Sequence, residues 1–370
     1  MLVGFVAVLL ISGCIPSFDG GEEELIQDTE ESMEETVIIP DVQIKDEFYR
    51  TLLPFKQSAS RGLILNNIRT KYDIQEAEEG LLRLSTQQFD PKNHFFQEGQ
   101  YIDEDTARSW LKRKSDDNKL GLNPETTASM SEEEIADDAP NYLAHIIEQN
   151  YLVMTDEKKV RLEGISIGLA LNSIHYSRTG QETKISDEEL SEQGTLMGEE
   201  IIKRLRSEEG LADIPIVIGL FKQESRESIV PGHYFATTFA DKGKAPSGWK
   251  IIDEKYVLFP SADNDEKYRE MDTSFRNFKQ AIDDYFPSFV NTIGRGLYKN
   301  GTIHSLQIEI PIQFFGTSET IGFTQYLTGL VVKYFPNVYT EVSVTSINGP
   351  EALIVKDVGD EETFVHIYGY

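Results

Sequence analysis

Two stretches of the chain, residues 136–260 and 261–370, show the same order of hydrophobic and polar patterns. Apolar positions spaced by three and four residues predict helices, and alternation predicts strands with one buried face. The predicted order is helix, strand, helix, strand, strand, which in the first stretch lie at Pro140–Val153, 161–176, Ser186–Arg206, Ile214–Leu220 and His233–Phe239. In the second stretch they lie at Phe275–Arg295, Ile303–Phe315, Glu319–Phe335, Tyr339–Ile347 and Ala352–Val358.

This order predicts an α+β fold of two similar repeats with mainly antiparallel sheets. Ile165 and Ile167 alternate in the first repeat as Ile308 and Ile310 do in the second. Because the two halves share little sequence identity, two unrelated α+β stretches of similar order are the alternative. Residues 41–135 are predicted to form a motif-rich N-terminal segment, helical in part, and a linker.

The amino terminus has a different pattern. Residues 1–13 are uncharged and almost wholly apolar, and they are too few for the roughly 20 residues of a transmembrane helix. They resemble a secretory signal peptide, with the small residues Ser12 and Gly13 at its cleavage site. Residues 15–36 carry nine acidic side chains and no Lys or Arg, so residues 14–40 are predicted to form a disordered, self-repelling tether.

The residues Ile11, Ser12, Gly13 and Cys14 resemble the lipobox of bacterial lipoproteins. This resemblance implies cleavage between Gly13 and Cys14, a diacylglycerol with acyl chains such as palmitate on Cys14, and a place on the extracellular face of the cell membrane. Cys14 is the only cysteine, which excludes an intrachain disulfide. Signal peptides normally open with a basic residue, and the first one here is Lys45, so the natural start is expected upstream of Met1.

Charge and motifs exclude several classes of function. The net charge of −28 repels phosphate backbones, so nucleic acid is not an expected partner. The six histidines form no HExxH motif, and neither a GxSxG elbow nor a phosphate-binding GxxxxGK[ST] loop occurs. The chain is therefore predicted to be non-enzymatic, without a metal or cofactor. It follows that no pocket should hold a cluster of ionisable groups with strongly shifted pKa values.

A dense cluster of aromatic and polar residues lies at Phe95–Tyr101, with further polar residues upstream. It predicts a groove for a peptide or a glycan, and the candidate binding residues are Arg61, Asn67, Gln97, Glu98 and Tyr101. The alternative is a glycine-bearing turn between helices, whose aromatic side chains fill a core.

The segments LLPFKQSASRGL (52–63), NNIRTKYDIQEAEEGLLRLS (66–85), FFQEGQYI (95–102) and GISIGLALNSIHY (164–176), behind a lipobox, resemble the CamS family. These are the lipoprotein precursors of the sex pheromone cAM373 and their relatives in low-GC Gram-positive bacteria. The resemblance implies a body of two α+β repeats and a short hydrophobic peptide cut from the signal peptide. That peptide corresponds to Ala7, Val8, Leu9, Leu10, Ile11, Ser12 and Gly13.

The sequence thus predicts a lipid-anchored extracellular lipoprotein of the CamS type, whose body has a non-enzymatic binding or envelope role. One alternative is a solute- or glycan-binding lipoprotein with a cleft between the repeats, which aromatic residues lining that cleft would indicate. Another is a cell-wall hydrolase without a familiar motif, which a buried carboxylate pair in such a cleft would indicate.

Overall fold

A computed structural model of the chain describes residues 23–27, 35–61, 73–157, 159–261, 265–285, 291–313, 316–360 and 362–369. These residues form a mixed α/β fold. Its helices are α1 (Ile74–Ser85), α2 (Glu104–Leu111), α3 (Glu132–Asp138), α4 (Asp187–Leu205), α5 (Arg269–Tyr285) and α6 (Thr317–Tyr334). Its strands are β1 (Glu23–Gln27), β2 (Glu35–Ile39), β3 (Arg50–Thr51), β4 (Phe95–Glu98), β5 (Leu143–Met154), β6 (Lys159–Asn172), β7 (Ile174–Tyr176), β8 (Glu182–Lys184), β9 (Ile216–Gln223), β10 (His233–Ala240), β11 (Lys250–Ile251), β12 (Glu254–Phe259), β13 (Ile293–Lys299), β14 (Thr302–Pro311), β15 (Tyr339–Ser346), β16 (Gly349–Lys356) and β17 (Phe364–Ile367).

The first sheet is covered by helices on both faces. Its main path runs β11-β10-β9-β6-β5-β4-β3, with β6 parallel to β9 and antiparallel to β5. Ile165 and Ile167 of β6 pack with α2 and α4, whereas Ala170 packs on the other face with Leu81 of α1. A strand buried on both faces needs an almost continuous apolar run, which explains residues 165–171 of β6.

The second sheet is covered on one face. It runs β12-β13-β14-β15-β16-β17, and β14 is parallel to β15 through the crossover helix α6. Leu306, Ile308 and Ile310 of β14 are buried against α5 and α6, while Gln307 and Glu309 between them are exposed. This strict alternation is typical of a strand with one solvated face, and β14 lies where the sequence predicted it.

The predicted order of elements is wrong at one position in each half. Pro140–Val153 was expected to be a helix, but residues 143–154 form β5. The helix predicted to reach Arg295 ends at Tyr285, and Arg295 lies in β13. The observed connection in both sheets is strand, strand, helix, strand, strand, with β6 and β14 at the same place in the order. That the two halves are repeats of one unit stays a prediction.

The prediction that residues 14–40 form a disordered tether is wrong for the part of this segment that the structure describes. Strands β1 and β2 pair antiparallel, and β1 also runs parallel to the start of β6, with Ile26 beside Lys159. Val37 and Ile39 of β2 are buried in a small apolar cluster with Phe95. The burial of these two side chains on one face of β2 contributes to holding this strand on the body, despite the acidic residues before it.

The N-terminal segment 41–135 was expected to be helical in part, and it also contributes strands. Helices α1 and α2 lie within it and α3 begins in it, while β3 and β4 extend the first sheet beyond β5. Asp103 begins α2, where its carboxylate accepts a hydrogen bond from the amide of Thr106 at 2.7 Å. Among the described residues, no helix combines the length and apolarity required to cross a membrane.

Helix α1 also links the two sheets through a buried ionic cluster. Arg83 Nη2 lies 2.5 Å from Glu76 Oε1 within α1 and 3.2 Å from Glu254 Oε2 on β12. The hydroxyl of Tyr256, also on β12, donates to Glu76. Burial raises the pKa of Glu76, although Arg83 acts against this increase. The cation therefore holds two buried carboxylates, one from each side of the junction.

Candidate functional site

Part of the predicted binding cluster lines a pocket of about 140 Å³ on the first sheet. The turn at residues 58–61, helix α1, strand β4 and strand β5 form its walls. Arg61 and Glu98 both line it, so the structure brings these two predicted residues together. Gln97 is buried on β4, and Tyr101 is partly exposed after the end of that strand. Asn67 lies outside the described residues.

The geometry around Glu98 fixes one wall of this pocket. Arg61 Nη1 lies 3.2 Å from Glu98 Oε1, and the Ser58 amide donates to Glu98 Oε2 at 2.7 Å. Arg61 Nη2 also lies 4.0 Å from Glu78 Oε1 of α1. The carboxylate of Glu98 thus ties the 58–61 turn to β4, and the partly exposed Arg61 is the cation at the pocket's rim.

Sequence reasoning missed Glu148, a fully buried residue of β5 beside the same pocket. Its carboxylate accepts hydrogen bonds from the amides of Gln100, Tyr101 and Ile102, at 2.8 to 3.2 Å. An added Cβ at Gly99 would lie 2.3 Å from the Cβ of Glu148, so the loop needs glycine to approach this closely. Glu148 therefore holds the loop after β4 in place.

Both interpretations of the Phe95–Tyr101 cluster find support in this arrangement. Phe95 is buried with β2, and Phe96 packs against the Tyr151 ring at 6.3 Å, so the aromatic side chains fill a core around a glycine turn. That turn joins a strand to a helix rather than two helices. The adjacent pocket retains polar side chains from Arg61 and Glu98, as expected of a binding site for a polar ligand.

The pocket contains ionisable groups with shifted pKa values, and the expectation that no pocket would do so is wrong. Burial raises the pKa of Glu148, and the bonds from backbone amides act against this increase. Burial also raises the pKa of Glu78, a shift that Arg61 opposes and Glu98 increases. Three backbone amides already donate hydrogen bonds to the oxygens of Glu148, so a structural role accounts for the burial of this carboxylate.

His145 on β5 completes the pocket, and we expect it to make stability depend on pH. Burial lowers the pKa of His145 from 6.5 to about 4. The imidazole therefore binds a proton near pH 6.5 in the unfolded chain, but only near pH 4 in the folded chain. Between these values the unfolded state binds more protons, and the free energy of unfolding falls as the pH falls. At pH 4.5, protonation of His145 in the unfolded chain should make the free energy of unfolding about 2 kcal/mol lower than at pH 7.

Urea denaturation of the wild type and of His145→Gln at pH 7 and pH 4.5 measures this effect. The variant should lose less stability between the two pH values, because glutamine takes up no proton. The exposed His366→Gln serves as the matched control and should keep the pH dependence of the wild type. If His145→Gln and the wild type lose the same amount, the buried imidazole is not the cause.

Glu76 and Glu254 form a buried carboxylate pair, the feature proposed to indicate a hydrolase. Arg83 is an ion-pair partner of both, and Tyr256 donates to the first, so a structural role accounts for the pair. Within the described ranges, no three His, Cys, Asp or Glu side chains converge as ligands for a metal ion. The arrangement supports ion pairing and the binding of polar groups.

Comparisons with known proteins agree with the fold. Residues 55–362 match the protein family described as CamS sex pheromone cAM373 precursor. A crystal structure of a sex pheromone precursor from Lactobacillus salivarius subsp. salivarius UCC118 is 28% identical, with a TM-score of 0.82, over 89% of this chain and 98% of that one. The C-terminal domain of the sex pheromone staph-cAM373 precursor from Staphylococcus aureus is 31% identical, with a TM-score of 0.72, over 83% of this chain and 100% of that one. No curated protein matches the chain in sequence.

Proposed function

Because the chain belongs to the CamS sex pheromone cAM373 precursor family, we propose that it is a lipoprotein anchored through Cys14 to the extracellular face of the cell membrane. The observation that carries this proposal is the family match over residues 55–362, preceded by an apolar leader that ends in Ser12, Gly13 and Cys14. The leader is the source of a short hydrophobic signalling peptide, Ala7–Gly13. Cleavage before Cys14 separates this peptide from the body.

The folded body has a non-enzymatic binding role at the cell surface. This part of the proposal is supported by membership of a precursor family and by the pocket around Arg61 and Glu98, where a charged rim suits a peptide or a glycan. The carboxylates that could suggest acid and base chemistry have structural partners in Arg83 and in the backbone amides of residues 100–102.

Mass spectrometry of the protein extracted from membranes tests the proposal directly. The expected mature chain begins at Cys14 and carries the mass of a diacylglycerol on that residue. The peptide fraction of the culture medium should contain AVLLISG or a shortened form of it. A mature chain that begins elsewhere, or a Cys14 without lipid, contradicts the anchoring. A lipid-bearing Cys14 without any released leader peptide contradicts the signalling role alone.

A further inference from the structure

A second pocket, of about 340 Å³, opens at the edge of the first sheet where β6 ends. Asn172, the last residue of β6, lies at its base, and the end of α2, helix α3 and the β7–β8 hairpin form its sides. Ligands of sheets with parallel strands commonly bind beyond the carboxyl ends of those strands, and β6 and β9 are parallel here. The volume lies within the range of small-molecule sites.

The charge of this pocket is opposite to that of the molecule. Lys112, Arg113 and Arg178 line it, whereas Glu132 is its acidic residue. The whole chain carries a net charge of −28, so most of its surface repels anions. Three cations against one carboxylate therefore make this pocket a place where an anion is attracted.

Arg113 is held by two backbone carbonyl groups, and the described residues give it no counter-ion. Its Nη1 donates to the carbonyl oxygens of Pro124, at 2.9 Å, and Ala139, at 2.8 Å. Across the residues that the structure places, no carboxylate forms an ion pair with Lys112 or Arg113. Burial lowers the pKa of Arg113, as expected where a desolvated positive charge is not neutralised by an anion. An oxyanion beside this guanidinium would supply the missing negative charge.

The remaining cation, Arg178, is available to a ligand. Its side chain is 86% exposed and its Nε lies 3.7 Å from Glu132, which is a weak ion pair in water. The backbone amide of Arg178 donates to the same carboxylate at 3.0 Å, so Glu132 holds the hairpin rather than neutralising the guanidinium fully. The Arg178 side chain can turn toward an anion and give up only this weak ion pair.

The base of the pocket is polar and rigid. Asn172 Nδ2 donates to the carbonyl oxygen of Asn141 at 2.7 Å, and Asn172 Oδ1 accepts from Gln223 Nε2 at 3.1 Å. Tyr176 beside it is buried, and the guanidinium of Arg226 lies 3.8 Å from its ring centre. These polar groups suit the hydroxyl groups of a small polar molecule, beside the apolar side chains of Leu111, Ile135 and Ile174 that also line the pocket.

We propose that this pocket binds a small polar solute through an oxyanion group, either a phosphate or a carboxylate, which Lys112, Arg113 and Arg178 contact. The amide and carbonyl groups around Asn172 and Asn141 face the uncharged part of the solute. This site is separate from the pocket around Arg61, and the proposal does not depend on how the chain is anchored.

Isothermal titration calorimetry of the full chain at low salt tests this proposal with four probes. Glycerol 3-phosphate and glucuronate carry the two kinds of oxyanion, and glycerol and glucose are their neutral counterparts. We expect saturable binding of at least one anionic probe, weakened by added salt, and weaker or no binding of the neutral ones. Binding of the phosphate probe alone assigns the site to phosphate esters, and binding of glucuronate alone assigns it to carboxylates.

The variant Lys112→Gln/Arg178→Gln removes two exposed cations and leaves Arg113 and its structural bonds in place. It should weaken binding at least about tenfold, since each lost contact is a charge-assisted hydrogen bond. The matched control is Lys250→Gln/Lys267→Gln, which changes the net charge equally at exposed residues outside the pocket. The proposal is overturned if neither anion binds the wild type saturably up to about 10 mM, or if both variants weaken binding equally.

Discussion

Replacing Cys14 with alanine should abolish the lipid anchoring of the protein. In the proposed lipoprotein, a diacylglycerol is attached through the thiol of Cys14, and alanine has no thiol to accept it. Two acyl chains hold firmly because each buried CH₂ contributes about 0.8 kcal/mol, whereas a single chain binds only reversibly. The described helices offer no alternative span. We therefore expect the wild type to stay with the membrane fraction through salt washing, and Cys14→Ala to keep its uncleaved leader or to enter the medium.

Cell fractionation followed by immunoblotting measures this distribution. Ser17→Ala, three residues beyond the lipobox, is the matched control and should fractionate like the wild type. The size of the membrane-associated protein must be compared as well, because a retained leader can itself hold the chain on the membrane. The lipoprotein proposal is wrong if Cys14→Ala protein remains membrane-bound after its leader has been removed.

Arg83→Met should destabilise the body by about 3 kcal/mol or more, because it removes the cation paired with the buried Glu76 and leaves Glu254 with Lys299, whose Nζ lies 3.7 Å away. The side chains of Glu76 and Glu254 are 8% and 9% exposed, so water cannot replace the arginine effectively. Methionine occupies a similar volume, which separates the loss of charge from the loss of packing. Urea denaturation of Arg83→Met and the wild type near pH 7 gives the difference in their unfolding free energies. At this pH both carboxylates are ionised in the unfolded chain.

The matched control is Arg276→Met, which removes a mostly exposed arginine whose partners are Asp272 within α5 and the carbonyl oxygen of Ser261. An exposed pair typically contributes less than about 1 kcal/mol, so this loss should be small. The double variant Glu76→Gln/Arg83→Met should be more stable than Arg83→Met alone, since the buried negative charge of Glu76 is also removed. Equal losses for Arg83→Met and Arg276→Met would show that the cluster between the sheets is not a stabilising link.

The elements that the sequence predicted well are those with one solvated face or a distinct cap. Strand β14 alternates strictly because water covers one of its faces. Helix α4 begins where Ser186 accepts a hydrogen bond from the Glu189 amide. The sequence predicts a helix in place of strand β5 because helices cover both faces of its sheet, and a run that is buried throughout loses the period of two.

The sequence predicted only part of the candidate site, for the same reason. Arg61 and Glu98 could be proposed because they lie in a polar cluster, and they do meet in one pocket. Glu148 and His145 belong to β5, and taking that strand for a helix removed any reason to place them beside residues 98–102. A useful signal was present, since Glu148, Gln149 and Asn150 are consecutive polar residues inside an otherwise apolar run. In a buried strand, such residues need hydrogen-bond partners from a neighbouring segment.

The pairing of β1 with β6 limits how far the body can stand from a bilayer. If Cys14 carries the lipid, only residues 15–22 separate the anchor from the first strand, Glu23–Gln27. Even fully extended, that many residues span about 30 Å, which is less than the diameter of a body of this size. Glu23 of β1 would therefore stay within about 30 Å of the headgroups, with its partner Ile39 of β2 beside it.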